Sequence, residues 1–193
     1  DPLASGVLVV CTGKATKGIE TLQAQDKSYT STIRLGAHTP CLDAELPVET
    51  WVNADHLTLE AIEKAAENLR RSIDQLPPLY SAKKVNGQKA YAVARKGGEI
   101  ELKRAPVNIK KLEILGVKHR EIDGHRVIDV DVYIDCTKGT YIRSIARDLG
   151  NSLSVGGHLV ALRRTSNGPF PIADCVLLSD LIQSIEALPS EDA

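Results

Sequence analysis

In the stretch "KGTYIRSIARDLG" the apolar residues Ile142, Ile145, Ala146, Leu149 and Leu153 recur at helical spacing. The spacing predicts a helix that starts near Thr140 and stops near Gly150 or Asn151, with Arg143 in its first turn. The positive end of the helix dipole disfavours a cation there unless a carboxylate or phosphate compensates. Arg143 therefore either carries its charge back to solvent along its aliphatic stem or meets an anion. Tyrosine raises a second question, since the chain has five Tyr against one Phe and one Trp. Tyr29 and Tyr141 are either core fillers or, in an RNA-binding protein, surfaces on which an unstacked base can lie. A third is set by Ser81 to Lys111, which holds nine Lys and Arg against two Glu in a chain whose net charge is −1. Such a patch fits a polyanionic partner met on one face, or simply a solvated charged surface.

Other chemistry is excluded more easily. The "TGKAT" segment puts Gly-Lys after an apolar run, but Gly6 and Gly13 are too far apart and Ala15 stands where a Ser or Thr must reach magnesium, so it is no phosphate-binding loop. No G-x-S-x-G nucleophile elbow occurs. The cysteines Cys11, Cys41, Cys136 and Cys175 are scattered without a C-x-x-C pair or a histidine at ligand spacing, which points to reduced thiols rather than a zinc site or a disulfide framework. His158 and the other histidines read as structural or solvated. With 193 residues, 42% of them hydrophobic, and no stretch of membrane-spanning length or signal-peptide form, the expectation is a soluble, cytoplasmic domain, with one lobe at most beside it. The chain contains no methionine, which implies processing or a start further upstream.

The elements that must position these residues follow from periodicity. Ser5 to Thr12 reads as a buried strand, "KATKGIETLQA" as a helix with Ala15, Ile19 and Leu22 on one stripe, and 26 to 36 as an alternating, β-branched strand. Residues 37 to 57 have two prolines and no period, and read as a loop. From Thr58 an amphipathic helix carries Leu59, Ile62, Ala66 and Leu69 and runs on to Ile73; Ala61 stands where a capping box needs Glu or Gln. A Pro-Pro break, a basic stretch around Asn86-Gly87 and a short helix through Ala94 lead to two long strands, about 106 to 120 and 125 to 136, turned by Asp123-Gly124. A strand at "HLVALRRTSNGPF" and a terminal helix at "LSDLIQSIEAL" complete an α+β fold with a mainly antiparallel mixed sheet flanked by helices.

Five segments, "DPLASGVLVVCTGKATK", "DKSYTSTIRLG", "LPPLYSAKKVNGQKAYAVAR", "KGTYIRSIARDLG" and "HLVALRRTSNGPF", resemble in the same order the motifs of the bacterial tRNA pseudouridine-55 synthases, the TruB family. The resemblance covers nearly the whole chain. It implies the pseudouridine synthase fold over residues 1–193, with a thumb-like basic insertion at about 75–105 and no PUA domain. It also implies an isomerase that converts a T-loop uridine of tRNA to pseudouridine without cofactor or metal. By residue, the resemblance makes Asp1 the catalytic aspartate, Arg143 its pairing arginine, Tyr29 the active-site tyrosine that stacks on the target base, and Tyr141 and Leu162 substrate contacts. Lys83, Lys84, Lys89 and Arg95 become the thumb's phosphate contacts.

The residue types suit that chemistry. Cleaving an N-glycosidic bond builds positive charge on the anomeric carbon, which an ionised carboxylate can stabilise or attack. A neighbouring guanidinium keeps the carboxylate ionised and oriented. The target base must leave the stack to be reached. Two departures from the family pattern stand out: its upstream strand, helix and histidine motif are absent before Asp1, so the N-terminus is expected to be incomplete, and no C-terminal PUA module is recognisable. The expected partner is the T arm of tRNA, bound by a monomer that needs no second protein and no membrane. The competing readings are a non-catalytic RNA-binding module and a guide-RNA-dependent, dyskerin-like synthase.

Overall fold

The Asp123-Gly124 pair takes positive φ at both residues, 52° and 78°, as a tight hairpin turn whose twist matches its strands requires. The strands it joins are the longest in the molecule. The computed structural model describes residues 2–85, 87–98 and 100–187, so Asp1 and Asn86 lie outside the described residues. In chain order the strands are β1 (Ala4–Gly6), β2 (Lys27–Leu35), β3 (Ala37–His38), β4 (Thr50–Trp51), β5 (Ser72–Gln75), β6 (Lys84–Val85), β7 (Gln88–Lys89), β8 (Ala105–Ile122), β9 (His125–Cys136), β10 (Gly157–Asn167) and β11 (Phe170–Pro171). The helices are α1 (Ile19–Gln23), α2 (Leu59–Glu67), α3 (Ala90–Ala94), α4 (Ile142–Ser152) and α5 (Leu178–Glu186). Among the described residues, no helix is long and apolar enough to cross a membrane.

Seven strands form the main sheet in the order β1-β10-β2-β9-β8-β5, with β11 added to β10. Among the described strands of this sheet, β1 alone runs parallel to its neighbour and the other pairings are antiparallel, as the sequence pattern predicts. One face carries the core: Ile33 and Leu35 of β2, Val130, Val132 and Ile134 of β9, and Ile145, Ala146 and Leu149 of α4 are buried in one cluster with Ile62 and Ala66 of α2. The opposite face is polar. Arg34 grips the Asp129 carboxylate through Nε and Nη2 at 2.8 and 2.9 Å, and Asp131 accepts from Thr32 Oγ1 and Lys118 Nζ at 2.6 and 2.8 Å. Those two donors hold the Asp131 carboxyl below the usual carboxylate range.

Helix α4 lies close on β10 because two glycines allow it. A Cβ on Gly150 would stand 2.2 Å from the carbonyl carbon of Gly156, and one on Gly157 would stand 2.6 Å from Ala146 O. No side chain fits at either place. Helix α2 begins where Thr58 Oγ1 accepts the Ala61 N–H at 3.2 Å, a simple N-cap without the reciprocal box.

Four expectations need correction. The apolar run 5–12 is strand only through Gly6, and Leu8 and Val10 are exposed, because an apolar run by itself does not distinguish a buried strand from a surface segment. The first helix is a 3₁₀ turn at Gly13–Gly18 followed by the short α1, with no buried residue in either. The helix opened at Thr58 ends at Glu67, and Leu59, expected on its buried stripe, is 51% exposed. Residues 72–75 are instead strand β5, paired with β8 from Ser72↔Asn108 to Gln75↔Ala105. Within 37–57, expected to be loop, β3 and β4 make a small ribbon.

Candidate active site

Arg143 does meet an anion. It is the second residue of α4 and is buried. Nη1 donates to Asp43 Oδ2 and to Cys41 O, both at 3.0 Å, and Nη2 donates to Tyr80 O at 3.0 Å. Asp43 is fully buried; its second oxygen accepts the Glu45 N–H at 3.0 Å, and its backbone oxygen accepts Thr39 Oγ1 at 2.7 Å. A buried carboxylate survives only when paired and hydrogen-bonded, and here both conditions hold. The loop that carries Asp43 is pinned to the sheet by Leu159 N–H donating to Leu42 O at 3.0 Å. Asp43 was invisible in the sequence because residues 37–57 show no period that would place it. Its only advance signal was the demand made by Arg143.

Tyr29 and Leu162 come together through a bulge. Leu159 pairs with Ile33 and Leu162 with Ser31, so one extra residue of β10 sits between Leu159 and Ala161. Without it, residues 159 and 162 would point to opposite faces; with it, both join the core face. Leu162, Tyr29 and Arg164 then line one open cleft with Ala4 to Leu8 of β1 and the residues following it. Tyr29 packs against the core cluster, and its burial pushes the phenol up, with Arg164 opposing, so it stays protonated and neutral at physiological pH. Gly6 ends β1 at φ 96°, where a Cβ would stand 2.1 Å from Arg164 O; the chain closes onto Arg164 through Val7 N–H to Arg164 O at 2.9 Å and Arg164 Nε to Val7 O at 2.7 Å.

Tyr141 lies elsewhere, in a second depression with Gln75, Pro77, Lys83, Ala105, Val107 and Gly139. The expected site residues thus fall in two described places, the Tyr29–Leu162 cleft on the strands and the Arg143–Tyr141 junction at the start of α4. Asp1 lies outside the described residues. The basic insertion runs between β5 and β8, its roots tied by Arg104 Nη1 to Asp74 O at 2.8 Å and Lys83 Nζ to Lys103 O at 3.1 Å. Arg95 is exposed and lies over the Tyr91 ring at 5.7 Å. Lys84 and Lys89 face each other in the β6–β7 register, and their side chains lie outside what is described.

Two other titratable groups, His158 and Cys136, are buried away from the cleft. His158 is buried on β10 with Nδ1–H donating to Ala37 O at 3.1 Å, and burial lowers its pKa. Burial pushes the Cys136 thiol up to about 11, so it is no nucleophile at neutral pH. The four cysteines are free thiols, and among the described residues no three His, Cys, Asp or Glu gather as a metal site.

A seven-stranded, mainly antiparallel sheet with helices on one face, a cleft lined by a tyrosine and a leucine, and a buried Arg–Asp pair define an α+β scaffold of the pseudouridine synthase kind. Residues 1–142 match the description "TruB family pseudouridylate synthase (N terminal domain)", and residues 143–192 match "tRNA pseudouridylate synthase B C-terminal domain". The chain belongs to the TruB family of pseudouridylate synthases. It is 48% identical over 183 residues to tRNA pseudouridine synthase B of Mycobacterium tuberculosis, across 95% of this chain and 60% of that protein. The protein of the same name from Phocaeicola vulgatus is 41% identical over 189 residues, across 98% of this chain and 74% of the relative. The chain therefore spans about 60% of the length of the mycobacterial relatives it matches. Among solved structures, a Cbf5-Nop10-Gar1 complex matches with a TM-score of 0.63 and 27% identity over 95% of this chain and 43% of that one. An H/ACA RNP bound to a substrate RNA containing 2'-deoxyuridine matches with a TM-score of 0.61 at 23% identity, over 98% of this chain and 45% of that one, and so speaks to the fold alone.

Proposed function

We propose that residues 1–193 are the catalytic domain of a cytoplasmic tRNA pseudouridine-55 synthase that acts as a monomer on the T arm, without metal or cofactor. The observation that carries this reading is the bulge in β10, which brings Leu162 onto the same sheet face as Tyr29, in a cleft also lined by β1, the strand that follows the Asp1-Pro2 pair in sequence. A flat base fits between an aromatic ring and an aliphatic side chain.

In the proposed reaction the T-loop uridine leaves its stack and its base enters the Tyr29–Leu162 cleft. The Asp1 carboxylate supports the anomeric carbon as the C1'–N1 bond breaks, and Arg143 keeps that carboxylate ionised. Asp43 holds the guanidinium in place for this task. The freed uracil turns between Tyr29 and Leu162 and rejoins the sugar through carbon 5; the carbon 5 proton passes to solvent and N1 takes one up, so the product is an isomer of the substrate. Tyr141 contacts the substrate from the second depression, and Lys83, Lys84, Lys89 and Arg95 hold phosphates along the T arm.

Tritium release from T-arm RNA labelled at uridine carbon 5 tests the reading. The expected result is release by the protein alone, without guide RNA, that is abolished in Asp1→Asn and whose KM weakens with salt. Release that survives Asp1→Asn would remove Asp1 as the reacting group. Binding without release would leave an RNA-binding module, and a requirement for guide RNA would point to the dyskerin-like alternative.

A further inference from the structure

Gln75 ends β5 and is 2% exposed. Its side-chain amide takes both backbone polar groups of one distant residue: Oε1 accepts the Tyr141 N–H at 2.8 Å, and Nε2 donates to Tyr141 O at 3.1 Å. Tyr141 occupies the N-cap position of α4, with extended backbone at φ −95° and ψ 112°, and makes no side-chain cap bond of its own. Its carbonyl also accepts the Ser144 and Ile145 N–H groups, at 3.1 and 3.2 Å, that open the helix. Gln75 therefore supplies from a neighbouring strand the bond to the N-cap N–H that the second side chain of a capping box makes locally, and adds one to the N-cap carbonyl.

Two bonds to a single residue do more than stabilise a helix end. A rotation of the Tyr141 peptide units breaks both, so the amide fixes the angle at which Tyr141 and, two residues on, Arg143 leave the backbone. The residues that follow Gln75 continue the grip on α4. Leu76 O accepts Ser144 Oγ at 2.8 Å and Arg147 Nη2 at 3.0 Å, and Tyr80 O accepts Arg143 Nη2 at 3.0 Å. This strap leads directly into the basic insertion, whose Lys83 shares the Tyr141 depression.

We propose that Gln75 is a positioning residue for the reaction put forward above, on which this inference rests: its buried amide sets the orientation of Tyr141 and Arg143 at the start of α4. Gln75→Glu keeps the size and the acceptor for Tyr141 N–H but sets an oxygen against Tyr141 O; Gln75→Leu removes both bonds. Ile62→Ala, deep in the α2 part of the core, supplies a destabilised protein with the strap intact.

Single-turnover pseudouridine formation and T-arm RNA affinity are measured for these three variants and the unaltered protein, at a temperature where thermal unfolding shows each to be folded. The expected result is a rate constant lowered about 30- to 100-fold in Gln75→Leu and about 10-fold in Gln75→Glu, with affinity changed less than about threefold, since a small misplacement of reacting groups costs rate before binding. Ile62→Ala keeps the unaltered rate. Gln75 variants within threefold of the unaltered rate overturn the inference, as does a fall in affinity equal to the fall in rate or an equal loss of rate in Ile62→Ala. An unaltered protein that makes no pseudouridine overturns the proposed function and this role with it, whereas an active one with unaffected Gln75 variants overturns this role alone.

Discussion

Helices α4 and α5 have the same kind of sequence and opposite fates. Each carries an apolar stripe at helical spacing, Ile142-Ile145-Ala146-Leu149 in one and Leu178-Leu181-Ile182-Ile185 in the other. In α4 seven residues are buried; in α5 none is, and Leu178 and Ile185 are 71% and 58% exposed. The difference lies in what else each helix offers. Helix α4 has glycines that admit close backbone approach, a buried arginine that draws in the Asp43 loop, and a strap whose carbonyls and amide hold its first two turns. Among the described residues the polar bonds of α5 stay within its own segment, such as Ser184 Oγ to Asp180 O. An apolar stripe thus accounts for a helix, while its docking is decided by specific close and polar contacts.

That contrast can be broken at both ends. Asp43→Ala should have the largest effect, because it removes the carboxylate that accepts from both Arg143 and the Glu45 backbone. Breaking a buried ion pair costs about 3 kcal/mol or more, so chemical denaturation should show a loss of that size. A loss below about 1 kcal/mol would mean that Arg143 is not an anchor of α4. Gly150→Ala should come next, at about 1 to 3 kcal/mol, as the new methyl forces the helix away from Gly156. Paired substitutions Leu181→Gln and Ile185→Gln in α5 should change the unfolding free energy by less than about 0.5 kcal/mol. A larger loss there would show that the α5 stripe is covered in solution.

Much of this architecture was legible in the residues. The 3.6-residue period of α4, the alternation of β2 and β9, the Thr58 start and the Asp-Gly turn are local signals, and each element formed close to where its signal lay. The failures are equally physical. Residues 68–75 contain no breaker, and Leu69 and Ile73 keep a helical phase, so only pairing with β8 reveals β5 as a strand. No residue type announces the bulge in β10, which arises from the register between strands more than a hundred residues apart. Motifs singled out Tyr29, Leu162 and Arg143, whereas nothing in the sequence pointed to Asp43 as the partner of Arg143 or to Gln75 as the partner of Tyr141. A buried carboxylate in an aperiodic loop and a glutamine at a strand end carry no local sign of the partner across the fold that gives them meaning.

The parallel pairing of β1 has a consequence for how the molecule assembles. Ser5 Oγ reaches Leu162 O across 157 positions of chain, at 3.4 Å. Closing a loop of that length directly costs about 4 to 5 kcal/mol of chain entropy, and a three-residue strand gives little in return. Once β10 has joined β2, the open span is only the roughly twenty residues from Gly6 to Lys27, and the cost of the same contact falls to about 2.7 kcal/mol. The hairpin of β8 and β9, whose ends are adjacent in the chain, carries no such handicap. The topology thus favours an order in which the β8–β9 hairpin forms early, β10 joins β2 next, and β1 docks last.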